Sequence, residues 1–163
     1  MKETELTELV MNLKDNDLTL AFAESCTGGL LASEFIKAKG SSDVLQGSIV
    51  VYQPEAKMSL LGVKKKTLNL YTPESQQVTN EMVIGLKKKL DASIYVATTG
   101  LAGAGGSETK EKPVGTVFIS FLYDGKAEEF RVVFDGNPES IRKKTVDYVF
   151  EKLQGILTEH YSR

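Results

Sequence analysis

Leu18-Thr19-Leu20-Ala21-Phe22-Ala23-Glu24-Ser25-Cys26-Thr27-Gly28-Gly29-Leu30-Leu31-Ala32-Ser33-Glu34-Phe35-Ile36 contains three kinds of sequence in one short stretch. The apolar run ending at Phe22 predicts a buried strand over Thr19 to Ala23, and Leu30 to Ile36 predicts a helix. Between them stand small hydroxyls, a thiol and two glycines. Such a junction exposes nucleophilic side chains beside the free N–H groups of a helix N-terminus, which can hold an anion or an oxyanion. Ser25 is the first candidate nucleophile, and N–H groups around Thr27, Gly28 and Gly29 are the candidate oxyanion donors. The same residues also suit an ordinary helix cap. Cys26 competes with Ser25, because a helix N-terminus lowers a thiol's pKa, although a lone cysteine also packs as a small apolar residue.

Working outward, Leu6, Leu9, Val10 and Leu13 predict an opening helix. The helix after Ser25 should run to about Lys39, where Gly40-Ser41-Ser42 breaks it. Gly47 to Tyr52 predicts a second strand, and Pro54 suits the first position of a helix through Leu61, stopped by Gly62. Lys64 to Tyr71 reads as an exposed connection. Thr72-Pro73-Glu74-Ser75 then opens a helix striped by Val78, Met82, Leu86 and Leu90. Ser93 to Thr98 is a third strand. It leads into Gly100-Leu101-Ala102-Gly103-Ala104-Gly105-Gly106. Two further β-rich runs, Val114 to Tyr123 and Glu128 to Phe134, flank the hairpin signal Asp124-Gly125. Ile141 to Leu157 closes the chain as a helix. The order predicts one α/β domain over residues 1–163, with a mixed sheet of helix-linked strands followed by a hairpin. Ligands in open α/β sheets collect where strands end and helices begin. Ser25, the Tyr52 to Lys57 segment and the Gly100 to Gly106 loop all sit at such ends.

Composition narrows the chemistry. The 163 residues suffice for a real core, and 41% hydrophobic with 26% charged residues is ordinary for a globular protein. A net charge of -2 argues against a dedicated nucleic-acid binder. Lys64-Lys65-Lys66 and Lys87-Lys88-Lys89 lack interleaved aromatics and read as solvated faces. No apolar run approaches membrane-spanning length, and Met1 to Glu5 lacks a signal-peptide core, so no membrane partner and a cytoplasmic location are expected. One cysteine and one histidine, His160, leave no internal disulfide, no thiolate or imidazole zinc cluster and no sequence-local Ser-His site. No metal or cofactor is expected.

A serine without a histidine needs another base. Lys57 falls in the opening turn of the helix from Pro54, where the macrodipole disfavours an ammonium and burial would add to that effect. A neutral Lys57 could then accept the Ser25 proton, with Tyr52 as relay or donor. The bland alternative is a surface lysine beside Glu55 and a half-buried tyrosine. The glycine loop lacks the pattern of a P-loop or a dinucleotide fingerprint, yet its N–H groups could approach a phosphate or ribose.

Taken in order, these segments resemble the CinA C-terminal domain family of competence/damage-inducible proteins. The resemblance rests on Ala23 to Gly29, on Gly47 to Tyr52 with Glu55-Ala56-Lys57 and Leu60-Leu61-Gly62-Val63, and on Thr99 to Gly103 with Lys112-Pro113-Val114-Gly115-Thr116-Val117. Phe134-Asp135-Gly136 with Ile141-Arg142 is a weaker echo. It implies a three-layer α/β/α fold with a mixed, mostly parallel sheet. It also implies a nicotinamide-nucleotide amidohydrolase, converting nicotinamide mononucleotide and water to nicotinate mononucleotide and ammonia through an acyl-serine. Ser25, Lys57 and Tyr52 match the catalytic residues. Thr27, Gly28, Gly29, Thr99, Gly100, Ala102, Gly103, Gly105, Gly106 and Arg142 are the substrate-binding candidates. The partner would be a small nucleotide, and a homodimer is compatible with the family. Ala104, Pro54 and Asn137-Pro138 depart from the family pattern. Two alternatives accompany this reading: a Ser-Lys hydrolase of another amide or ester, and a silent nucleotide- or partner-binding module.

Overall fold

The computed structural model describes residues 1–161. Its elements are α1 (Glu3–Asp15), β1 (Leu20–Glu24), α2 (Leu30–Phe35), β2 (Leu45–Val50), α3 (Pro54–Leu61), α4 (Lys65–Tyr71), α5 (Gln76–Lys87), β3 (Ile94–Gly100), β4 (Thr116–Tyr123), β5 (Lys126–Val133) and α6 (Pro138–His160). The sheet order is β2-β1-β3-β4-β5. β1 pairs parallel with β2 and β3, while β4 runs antiparallel to both β3 and β5. Four strands therefore point one way and β4 alone opposes them.

Alternation along the strands builds two cores. Leu20, Phe22, Ile94, Val96, Ile119 and Phe121 face one cluster together with buried residues of α1, α2 and α6. Ala21, Ala23, Tyr95 and Ala97 face the other, completed by α3, α4 and α5. The sheet is the middle of three layers, as the family resemblance implies.

Local chemistry explains most boundaries. Pro54 opens α3 and Gly62, at φ +68°, closes it. Ser75 Oγ accepts the Val78 N–H at the start of α5, and Asn137 Oδ1 accepts the Ser140 N–H at the start of α6. Asp124 and Gly125 both have positive φ, at +47° and +72°, as the two-residue turn between β4 and β5 requires.

Several boundaries shift by two or three residues from the sequence reading, as at β4, β5 and the two ends of α6, and three larger differences bear on the site. Lys64 to Tyr71, expected as an exposed connection, is largely helical as α4. Only Leu68 in it is buried, so it shows no apolar period. Its entry is held from another element: Glu81 of α5 accepts the Lys64 N–H at 2.7 Å and the Thr67 hydroxyl at 2.7 Å. β2 begins earlier and ends at Val50, because Leu20 pairs with Leu45 and Ala21 with Gly47, leaving Gln46 as a bulge. Tyr52 consequently lies beyond the strand. The helix after Ser25 stops at Phe35 rather than near Lys39.

Candidate active site

β1 lies between β2 and β3, and the chain reaches them on opposite sides: from β1 through α2 to β2, then from β2 through α3, α4 and α5 back across to β3. The chain changes direction between β1 and β3, so a crevice opens at their C-terminal ends. Ser25 follows β1 directly, and its N–H donates to Thr98 O of β3 at 3.0 Å.

The turn after β1 is organised by Glu24, which is fully buried. Its Oε2 accepts from Thr27 Oγ1 at 2.7 Å, Gly29 N at 3.0 Å and Leu31 N at 2.9 Å. Its Oε1 accepts from Ala32 N at 3.0 Å and Ser48 Oγ at 2.8 Å. A carboxylate of the chain itself thus occupies the N-terminus of α2. Gly28 and Gly29, at φ +60° and +96°, bend the backbone around it. The Gly28 N–H donates to Ser25 O at 3.1 Å. The N–H groups of Cys26 and Thr27 face the Cys26 sulfur, a weak acceptor, and among the described residues no oxygen accepts them, so a developing oxyanion could replace the thiol as their acceptor.

Lys57 enters from α3 and is 1% exposed. Its Nζ lies 2.8 Å from Ser25 Oγ, 3.1 Å from Val51 O and 3.2 Å from Tyr52 O. Two carbonyls fix two N–H directions, and the third tetrahedral position faces the serine oxygen. In the neutral amine that position is the lone pair. Burial lowers the Lys57 pKa, against the opposing influence of Glu74 and Cys26. Cys26 goes the other way: burial pushes its thiol up to about 12 despite the nearby Lys57, so it remains protonated. Of the two candidate nucleophiles, only Ser25 touches a base. Tyr52 reaches this pair through its main-chain carbonyl, while its side chain is 71% exposed.

Ser25 and Cys26 open onto a cleft of about 650 Å³. Gly100, Ala102, Gly103, Gly105, Gly106, Tyr52 and Arg142 line it; Thr27, Gly28, Gly29 and Thr99 do not. Thr99 is buried, with Oγ1 donating to Pro73 O at 3.3 Å, and Thr27 is buried against Glu24 and Thr98. A Cβ at Gly100 would sit 2.5 Å from Thr116 O, so this glycine is required by the pairing of β3 with β4. Arg142 is exposed, on the second turn of α6.

The sequence reading missed a second polar cluster at this cleft. Lys112 Nζ donates to Thr72 Oγ1 at 2.7 Å, Ser107 Oγ at 2.7 Å and Glu74 O at 2.9 Å. Ser107 Oγ in turn donates to the Glu74 carboxylate. This ties the glycine loop to the entry of α5 through Thr72, which has an unusual φ of +66°. Lys112 carried part of the family resemblance but no assigned role. Glu74, with no partner close in sequence, gave no signal. Among the described residues no group of three His, Cys, Asp or Glu side chains could hold a metal, and no helix is long and apolar enough to cross a membrane.

Fold and site together define a three-layer α/β domain with a buried serine–lysine pair at the switch point of its sheet. The chain belongs to the CinA C-terminal domain family, whose model matches residues 2–157. A CinA-like protein of Thermotoga neapolitana is 44% identical over 160 residues, covering 98% of this chain and 39% of that protein. One from Petrotoga mobilis is 38% identical over 161 residues, with the same coverage of each. The chain therefore spans about two-fifths of the length of these relatives. The crystal structure of the competence damage-inducible protein A from Klebsiella pneumoniae has a TM-score of 0.91 at 31% identity, covering 99% of this chain and all of that one. A competence/damage-inducible protein from Agrobacterium tumefaciens has a TM-score of 0.88 at 33% identity, with 94% of each chain covered.

Proposed function

We propose that this domain is a serine amidohydrolase that deamidates nicotinamide mononucleotide to nicotinate mononucleotide and ammonia. The observation that carries the reading is Lys57 Nζ at 2.8 Å from Ser25 Oγ, buried and held by two carbonyls. Lys57 as the neutral amine takes the Ser25 proton as Oγ attacks the carboxamide carbon. The N–H groups of Cys26 and Thr27 stabilise the tetrahedral oxyanion. Lys57 returns the proton to the departing nitrogen, and ammonia leaves an acyl-serine. Water, deprotonated by the same amine, then hydrolyses the ester and restores Ser25. Tyr52 contributes its carbonyl to Lys57 and its ring to the cleft mouth.

The other end of the substrate carries a phosphate. Arg142, together with the N–H groups of Gly103 and Ala104, supplies the donors such a group requires, while those of Gly105 and Gly106 face the Glu108 carboxylate. The half-buried Gly103 and the exposed Gly105 leave room for a ligand close to the backbone.

The test is ammonia release from nicotinamide mononucleotide by the wild type and by Ser25→Ala. Release by the wild type alone sustains the reading. Release by both removes Ser25 as nucleophile. Release by neither, with the nucleotide still bound, points to another amide or a binding module.

A further inference from the structure

One carboxylate in the cleft has no part in the proposed chemistry. Glu74 lines the cavity with Ser25, Tyr52 and Arg142, yet it is neither nucleophile, base nor phosphate ligand. Its side chain is held in place: Ser107 donates to Oε2, and Lys112 braces both Ser107 and the Glu74 main chain. Among the described residues no cation forms an ion pair with the carboxylate, and Oε1 has no hydrogen-bond donor. A negative charge fixed on a cavity wall, with no cation in direct contact, favours a cation in that cavity.

Arg142 gives the same cavity a positive charge, so the cleft carries one charge of each sign. Nicotinamide mononucleotide is charged in the same pattern: a ring nitrogen made cationic by its bond to ribose, and an anionic phosphate. Free nicotinamide has neither charge, and an amide on a neutral ring lacks the first. We infer that Glu74 is a specificity-determining residue that selects an amide borne on an N-substituted pyridinium over the same amide on an uncharged ring. This rests on the deamidase reading. The deamidated ring carries a new carboxylate, which the fixed charge of Glu74 repels, so the residue also favours release of the product over retention.

Other charged groups near Glu74 set what its removal does. Lys57 and Lys112 both feel its charge, Arg142 shares the cavity, and Glu108 lies on the same loop with Oε1 accepting the Gly105 N–H at 2.8 Å. Taking the carboxylate away lowers the Lys57 pKa further.

The experiment compares wild type with Glu74→Gln, which keeps the shape and an acceptor for Ser107. The ligands are nicotinamide mononucleotide and the C-nucleoside 5′-phosphate in which benzamide replaces the pyridinium. The variant should lose on the order of tenfold in kcat/KM on the pyridinium nucleotide, mainly through KM. The inhibition constant of the neutral analogue should be unchanged, and the acid limb of kcat should move to lower pH. Equal losses for both ligands, or no loss for either, overturn the inference. A wild type that releases no ammonia overturns the deamidase reading alone. Calorimetry then decides the Glu74 question: a preference for the cationic ligand that Glu74→Gln erases sustains it, and equal affinities sink it.

Discussion

At the scale of single residues the site turns on a lysine kept away from water. An ammonium at Lys57 is disfavoured by burial, so the amine deprotonates at a lower pH than an exposed lysine. On the proposed mechanism kcat/KM should rise with pH along a limb below the ordinary lysine range, then level off. Lys57→Arg cannot deprotonate, so it should lose at least about a hundredfold in kcat and show no such limb in a pH–rate profile. The linkage sign follows from the same shift. Between the lowered folded value and the ordinary unfolded one, the unfolded chain binds more protons, so stability rises with pH across that window. Urea midpoints for wild type and Lys57→Met across this window should diverge accordingly. The Cys26 thiol, held up at about 12, should be unreactive near neutrality, and iodoacetamide should leave ammonia release intact. Ser25 and Lys57 were legible as a pair, because a serine without a histidine leaves few bases to choose from. Glu24 stood inside the decisive stretch but its role was not legible. A carboxylate on a strand end gives no sign that the chain will turn back and wrap five donors around it.

Elements are placed here by contacts that local sequence does not announce. Gly85 of α5 lies so close to α3 that an added Cβ would sit 1.9 Å from Leu61 O. Alanine in a helix interior ordinarily stabilises by about 1 kcal/mol over glycine. Backbone overlap of this kind cannot relax by a rotamer change and costs roughly 1–3 kcal/mol or more. Gly85→Ala should therefore destabilise the protein in urea unfolding, and by displacing α3 it should reduce activity through Lys57. Glu24→Gln places an amide where an acceptor of five bonds stood. A loss of at least about 2 kcal/mol is expected, with a fall in kcat as the Ser25 turn loosens. α4 is likewise held from outside its own sequence. Its one buried apolar residue left nothing periodic to read, and Glu81, its support, is a residue of α5. Helices with a buried stripe or a local cap, such as α1 and α6, were legible; a helix secured by a distant side chain was not.

For the molecule as a whole, the strand order decides where chemistry can happen. Three loops far apart in sequence meet because β1 lies between β2 and β3 and all three run parallel. Alternation and element order were enough to anticipate that meeting, whereas the polar cluster of Thr72, Glu74, Ser107 and Lys112 depends on how one loop folds onto one corner. Amide exchange should be slowest in β1, β3 and β4, which are paired on both sides, and fastest in the Gly103 to Glu111 loop. Lys112→Ala should speed exchange in that loop and raise KM while leaving β1 and β3 protected. Glu24 also governs what the start of α2 can hold. A helix start that already contains a carboxylate has no vacancy for inorganic phosphate, sulfate or the tail of a nucleotide. The start of α2 is thereby closed to a free anion, leaving beside Ser25 only the donors for the oxyanion of the reaction, and on the proposed reading a nucleotide lies with its phosphate at the other end. Buffer anions should accordingly compete with the phosphate end of the substrate and never with its amide.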